Sequence, residues 1–227
     1  MADAADRPRA RRRSGWTRLQ LATHAAALAP AAHLAWDVWT DNLTANPIQD
    51  ITARTGKTAL VLLVAALAVT PLNTLFGWRR LIPLRRPLGV YAFLYALQHF
   101  LTFVWLDYGL DPVLLEEAIF EKKYALVGFG AFLILLPLAA TSTAGWMRRL
   151  GKRWKRLHRL VYVAAVLVVV HFVWLVKADV REPLAYGAVV AALLALRVPR
   201  VREAVARRRL GSASRRTARG TPPPPPR

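Results

Sequence analysis

The chain of 227 residues contains no cysteine, and its 33 lysines and arginines stand against only 13 aspartates and glutamates. The absence of cysteine excludes disulfides, iron–sulfur clusters, thiolate-ligated haem and covalently attached haem. Histidine is then the strong metal ligand that remains, and there are 5 of them. The sequence also lacks a glycine-rich dinucleotide fingerprint, a phosphate-binding loop and a nucleophile–base arrangement, which excludes the common soluble catalytic modules.

Apolar residues and positive charge dominate what is present. Hydrophobic residues make up 55% of the chain and the formal net charge is +20, while the mean hydropathy is +0.27. The two properties occupy separate blocks, which is typical of a polytopic membrane protein. Binding of nucleic acid would require a soluble basic face with a recognisable module, and the sequence has none, so we expect no nucleic-acid partner.

Six apolar stretches are interpreted as membrane-spanning helices. They cover residues 17–36, 57–77, 87–106, 124–143, 157–177 and 182–198. A helix needs about 20 residues to cross about 30 Å of hydrocarbon, a length that the first five stretches reach and the sixth does not. The sequence therefore predicts an all-α membrane helix bundle with six transmembrane helices, formed by residues 15–198.

The loops between these stretches alternate in charge. Those at residues 79–86 and 148–159 are rich in arginine and lysine, whereas those at 37–50 and 107–121 contain most of the acidic residues. By the positive-inside rule, the basic loops lie in the cytoplasm and the acidic loops lie outside. Both termini are then predicted to be cytoplasmic.

The two ends of the chain are basic. Residues 1–14 are predicted to be a cytoplasmic segment, and the proline-rich residues 199–227 a disordered cytoplasmic tail, because neither can bury a core. A cleaved export signal beginning at Arg11 is the alternative for the N-terminus, but the polar His24 and His33 within the first apolar run favour an uncleaved helix. No internal repeat is evident in the sequence.

Besides His24 and His33 in the first span, three histidines fall inside predicted spans: His99 in the third, and His158 and His171 in the fifth. An imidazole in hydrocarbon is unfavourable unless it is paired or bound, so each is a candidate functional residue. His99 lies eight residues before Asp107 and His171 eight residues before Asp179, at the outer ends of two parallel spans. The two imidazoles therefore share one depth, and the sequence predicts that they ligate the iron of a b-type haem axially.

His158 lies at the cytoplasmic border, 13 residues and about 20 Å before His171. That separation suits the ligand of a second haem on the opposite side of the membrane. The matching positions on the third span are Arg85 and Arg86, neither of which ligates iron. The alternative is that His158 and the basic residues 151–159 bind a phosphate or a lipid headgroup.

Several short motifs resemble those of one known family. They are Thr55-Gly56-Lys57, Arg85-Arg86-Pro87-Leu88-Gly89, the basic run 148–162, His171 with Trp174, and Glu182-Pro183-Leu184. On these motifs the chain resembles, over residues 15–198, the haem-binding membrane subunits of bacterial protein-methionine-sulfoxide reductase systems, the MsrQ (YedZ) family. That family belongs to the ferric-reductase-like transmembrane group.

The resemblance implies a multi-pass cytochrome b of the bacterial inner membrane. It implies that a quinol or a cytoplasmic flavin reductase supplies electrons, and that a periplasmic molybdopterin-containing methionine-sulfoxide reductase subunit receives them to repair oxidised envelope proteins. The haem histidines of the family match His99, His158 and His171. FMN is a further cofactor of the family, and no residues of this sequence are assigned to it.

We therefore expect the electron-transfer subunit of an oxidoreductase, with no substrate chemistry in this chain itself. Electrons would enter near His158, reach the site of His99 and His171, and leave at the outer face. A ferric- or oxygen-reductase-type cytochrome is the alternative within redox proteins, although no flavin domain is fused to the chain. A small transporter lined by histidines is the non-redox alternative, and it predicts that no haem is bound.

Overall fold

The computed structural model describes residues 17–176, 178–198 and 201. These residues form α-helices joined by turns and short 3₁₀ or π-helical segments, and they contain no strand. The helices are α1 (Arg18–Trp39), α2 (Pro47–Phe76), α3 (Arg85–Leu101), α4 (Pro112–Glu121), α5 (Lys123–Ala140), α6 (Ala144–Leu150), α7 (Lys152–Leu157), α8 (Val161–Leu175) and α9 (Arg181–Ala195). The predicted all-α fold class is confirmed. The predicted segments 1–14 and 199–227 lie outside the described residues, apart from Val201.

Within the described part of the chain, four helical units are long and apolar enough to cross a membrane. They are Pro47–Phe76, Arg79–Asp107, Lys123–Ala140 and Lys152–Leu175. The second unit consists of a 3₁₀ segment, α3 and a π-helical end, and the fourth joins α7 to α8 through a 3₁₀ turn. These units correspond to the second to fifth predicted spans.

The first and last predicted spans are helical but do not meet the same limits of length and polarity. α1 has 22 residues, and His24, His33 and Asp37 interrupt its apolar character. α9 has 15 residues, about 22 Å of helix at 1.5 Å per residue, which is short of a bilayer core.

Local sequence determines where α2 begins and ends. At the start of α2 the Asn46 side chain accepts from the backbone N–H of Gln49 at 3.2 Å, and Pro47 occupies the first turn, where its missing N–H leaves no bond unmade. The helix ends at Gly77, whose φ of 71° is the left-handed conformation that a glycine adopts without strain. α2 is thereby a single helix of 30 residues.

The centre of the bundle consists of two helix pairs, α2 with α3 and α5 with α8, which meet where α3 packs on α5. Their buried cluster combines leucines with small residues: Leu63, Leu67, Ala92, Leu135, Ala164, Ala165 and Val190. Alanines at helix crossings let backbones approach closely, which is the main source of packing energy between helices in lipid. The core therefore lies between α2, α3, α5, α8 and α9.

A side chain of α3 bonds the backbone of α1 next to a proline within α1. Pro30 lies inside α1, where its ring disturbs the preceding turn. The hydroxyl of Tyr95 donates to the carbonyl of Ala27 at 2.8 Å and accepts from the N–H of Ala31 at 2.9 Å. Tyr95 thus bridges the two backbone groups that an uninterrupted helix would join directly.

Candidate functional site

The structure brings His99 of α3 and His171 of α8 next to each other. Their ring centroids are 6.2 Å apart and their ring planes are inclined by 83°. The two residues come from different halves of the chain, and the packing of α3 and α8 around α5 and α2 places them side by side. The sequence predicts that the two residues lie at the same depth, and the structure places their imidazole rings next to each other.

Each ring is held through its Nδ1 atom by a backbone carbonyl of a neighbouring helix. His99 Nδ1 lies 2.9 Å from the carbonyl oxygen of Thr52 on α2, and His171 Nδ1 lies 2.7 Å from that of Tyr124 on α5. A carbonyl oxygen only accepts, so in both neutral rings Nδ1 donates and the lone pair is on Nε2. Fixing the tautomer in this way is how proteins prepare a histidine for ligation through Nε2.

The Nε2 atoms of His99 and His171 make no hydrogen bond to other residues of the described chain. Two metal–nitrogen bonds of about 2 Å, plus about 1 Å from each Nε2 to its ring centre, separate two ring centres by about 6 Å. The observed 6.2 Å agrees with this separation. One metal ion between the two rings therefore fits the pair.

Within the described residues, no third metal-binding side chain joins His99 and His171. Among the residues that the structure describes, no group of three or more histidine, aspartate, glutamate or cysteine side chains could hold a metal ion. A metal held by protein side chains alone usually has three or four of them. Two imidazoles without further protein donors would suit a metal that a macrocycle already holds, as in haem, which would supply one-electron transfer.

Aromatic side chains pack beside the pair where α3 meets α5. The ring of Phe100 stacks on that of Phe132 at 4.5 Å, and lies 5.8 Å from that of Phe129. Phe93 continues the stack, with its centroid 5.8 Å from that of Phe132. These rings are on α3, which carries His99, and on α5, whose Tyr124 carbonyl bonds His171, and they form an apolar contact between the two helices.

The structure places His158 at the opposite end of the fourth membrane unit. Its ring stacks on the indole of Trp154 at 3.8 Å, and its Nδ1 lies 3.1 Å from the carbonyl of the same residue. Its Nε2 lies 3.5 Å from the Ser142 hydroxyl. The structure therefore does not bring His158 to His99 and His171, and its surroundings are polar.

The other two histidines lie on α1 and face other partners. His24 Nδ1 lies 2.9 Å from the Tyr91 hydroxyl. His33 is largely exposed, with Nδ1 3.1 Å from a carboxylate oxygen of Asp37.

Ion pairs where α1 ends and α2 begins were not predicted from the sequence. The buried Asp37 accepts from Arg54 at 2.5 Å, and the same guanidinium bonds Asp50 at 2.8 Å. Lys57 reaches Glu182 of α9 at 2.6 Å. The spacing of Asp50 and Arg54, four residues on a helix, was the available signal for one of these pairs. The ion pairs join α1 and α9 to α2 on the side where His99 contacts α2.

A family model and several known proteins match this chain over much of its length. Residues 54–169 match the family described as ferric reductase like transmembrane component. The chain is 48% identical over 210 residues to the protein-methionine-sulfoxide reductase heme-binding subunit MsrQ of Xanthomonas campestris pv. campestris strain 8004, covering 90% of this chain and 92% of that protein. It is 48% identical over 176 residues to the subunit of the same name from Herminiimonas arsenicoxydans, covering 76% of this chain and 81% of that protein.

A third relative, from Xanthomonas axonopodis pv. citri strain 306, is 47% identical over 207 residues and covers 88% of this chain. No solved structure matches the chain. The match to the first of these relatives therefore covers most of both chains. The chain belongs to the MsrQ family of heme-binding subunits of protein-methionine-sulfoxide reductases, within the ferric-reductase-like transmembrane group.

Proposed function

We propose that this chain is a cytochrome b of the bacterial inner membrane that carries electrons to a methionine-sulfoxide reductase. The observation that supports it most directly is the facing pair of His99 and His171, with both Nδ1 atoms bonded to carbonyls. The names of relatives at 48% identity, which describe a heme-binding subunit of that reductase, support the same role.

His99 and His171 are the proposed axial ligands of haem b. When bound, haem supplies one-electron transfer without a change in any covalent bond of the protein. The residues of the chain provide the setting. The carbonyls of Thr52 and Tyr124 hold the two rings in the tautomer that ligates through Nε2. The stacked rings of Phe100 and Phe132 join α3 to α5. This chain then transfers electrons and performs no substrate chemistry itself.

His158 is proposed to mark the side on which electrons enter, and it is the proposed position of a second ligand. It lies at the start of the helical unit that contains His171 near its end, about 20 Å away along the helix axis. The basic residues 148–159 around it suit a phosphate-bearing donor or cofactor such as FMN, because arginine and lysine bind phosphate well. The proposed donor is a cytoplasmic flavin reductase or a quinol.

The proposed topology has six transmembrane helices and cytoplasmic termini. α1, with 22 residues, and α9 would be the first and sixth transmembrane helices, in addition to the four long apolar units. The shorter α9 would cross the membrane without tilt, packed against α8. The alternation of basic and acidic loops supports this orientation. It places α4 and the acidic residues 107–121 at the outer surface, where the proposed periplasmic molybdopterin-containing subunit would collect electrons.

A ferric-reductase-type cytochrome is the second candidate, favoured by the family match over residues 54–169. It differs in the acceptor, since electrons would pass directly to a small molecule. The near full-length identity to subunits named for methionine-sulfoxide reductase favours the first candidate.

Transfer to each acceptor separates the two candidates. The purified, reduced chain is mixed anaerobically with the oxidised molybdopterin subunit from the same bacterium, and in parallel with a ferric chelate, while the haem absorbance is followed by stopped flow. We expect rapid reoxidation by the partner subunit, and turnover when methionine sulfoxide is added. Reoxidation by the ferric chelate alone would contradict the first candidate and support the second.

A further inference from the structure

Two glycines lie against the two candidate ligands. A Cβ atom added to Gly56 of α2 would lie 3.0 Å from His99 Nδ1, and one added to Gly128 of α5 would lie 2.6 Å from His171 Nδ1. Contacts under 3.0 Å are essentially never seen for real Cβ atoms, so something must shift at Gly128, while Gly56 is at the limit. Each imidazole therefore packs directly against the backbone of the neighbouring helix, in the space that the side chain of a residue other than glycine would occupy.

The position of each glycine follows from the geometry of the hydrogen bond beside it. Gly56 comes four residues after Thr52, and Gly128 four residues after Tyr124, whose carbonyls bond the two imidazoles. A helical carbonyl points along the axis toward the residue four positions later, which lies directly above it on the same face. A donor from a neighbouring helix must pass that later residue to reach the carbonyl. A side chain there would block the approach.

The arrangement occurs twice, at a constant offset in the sequence. In both cases the histidine follows the carbonyl residue by 47 positions. Each member of the first set lies 72 residues before its counterpart: Thr52 and Tyr124, Gly56 and Gly128, His99 and His171. The same arrangement of carbonyl, glycine and histidine therefore occurs once between α2 and α3 and once between α5 and α8.

We propose that Gly56 and Gly128 are positioning residues of the haem site, which let each imidazole reach its carbonyl and aim its Nε2 at the iron. The inference rests on the proposed function for the ligand, and on the two contacts themselves for the geometry. An alanine at position 128 would displace the His171 ring, break the bond of its Nδ1 to Tyr124 and misdirect its Nε2. Because alanine is a better helix former than glycine, α5 itself should remain intact.

The test compares Gly128→Ala and Gly56→Ala with a matched control, Gly130→Ala. Gly130 lies on the same helix as Gly128, and a Cβ there would meet nothing within 4 Å. Each protein is purified from haem-replete cells, and haem per protein, the low-spin ferric EPR signal and the helix content are measured. We expect Gly130→Ala to match wild type. Gly128→Ala should bind haem about 10- to 100-fold more weakly, the loss typical of an outer-shell partner, and Gly56→Ala should be affected less.

A second readout does not depend on haem. Nitrogen-15 NMR of the histidine-labelled, haem-free proteins reports which ring nitrogen is protonated, with His99→Ala and His171→Ala used for assignment. We expect the Nδ1–H signal of His171 to shift in Gly128→Ala and to stay in place in Gly130→Ala. Wild type without haem would refute the proposed function, while this NMR comparison would still decide the positioning role.

Two results would overturn the inference. One is a Gly128→Ala protein with the haem content, EPR signal and His171 nitrogen signals of wild type. The other is a loss of helix content in both Gly56→Ala and Gly128→Ala but not in Gly130→Ala, which would make these glycines structural.

Discussion

Removing the hydroxyl of Tyr95 should loosen α1 without disturbing the histidine pair. Tyr95 is 5% exposed, and in Tyr95→Phe the N–H of Ala31 and the carbonyl of Ala27 both lose their partner. A buried backbone group without a partner costs about 1–3 kcal/mol. Hydrogen bonds between membrane helices contribute about 0.6 kcal/mol on average. This value is the lower limit of the loss if the N–H of Ala31 and the carbonyl of Ala27 bond each other in the variant. We expect the free energy of unfolding to fall by about 0.6–3 kcal/mol, with the lower value if the two backbone groups bond each other in the variant.

The assay is unfolding in mixed detergent micelles, followed by circular dichroism, with haem content measured in parallel. Tyr91→Phe is the matched control, because it removes a hydroxyl from the same face of α3 that bonds only a side chain, His24. We expect a smaller loss for the control, below about 1 kcal/mol, and wild-type haem content for both, since His99 is held by α2. A Tyr95→Phe protein as stable as wild type would refute the role given to Tyr95 at the Pro30 interruption.

Further predictions concern the ion pairs, the ring planes and the tail. Asp37→Ala should lower the unfolding midpoint more than Glu182→Ala, because Asp37 is buried and Glu182 half-exposed, and an equal effect in the same detergent titration would contradict this. Ring planes inclined by 83° predict a highly anisotropic low-spin ferric EPR signal, whereas the signal of parallel imidazoles would contradict the observed arrangement. Deleting residues 207–227 should leave haem per protein unchanged, because this segment is too polar to pack into the bundle.

The equal depth of His99 and His171 could be predicted because helical rise and the flanking aspartates suffice to compare two parallel spans. The hydrogen-bond partners of the two rings could not be predicted. The acceptors are the backbone carbonyls of Thr52 and Tyr124, and a carbonyl leaves no trace in the residue type that carries it. The sequence signal of these contacts is the glycine four residues after each carbonyl residue. That signal is ambiguous, because a glycine in a helix can also allow close helix packing or end the helix.

Other features depend on which helices become neighbours. Pro30 indicates an interruption of α1, but that the hydroxyl of Tyr95 enters it follows from the packing of α1 on α3. The offset of 72 residues between the two arrangements is hard to detect in the sequence, because only the glycine and the histidine are the same in both and Thr52 corresponds to Tyr124. The second to fifth spans could be predicted from apolar length alone, while polar residues in α1 and the 15 residues of α9 weaken that signal at both ends.

The central claim is that His99 and His171 hold one haem between them. The most direct test is a reduced-minus-oxidised absorbance spectrum with haem quantified per protein, for wild type, His99→Ala and His171→Ala, all from haem-replete cells. His33→Ala is the control, since that imidazole is exposed and pairs with Asp37. We predict a b-type spectrum in wild type and His33→Ala that is lost in both other variants. A folded wild type without haem, or haem of unchanged spectrum and amount in His99→Ala and His171→Ala, would contradict the account.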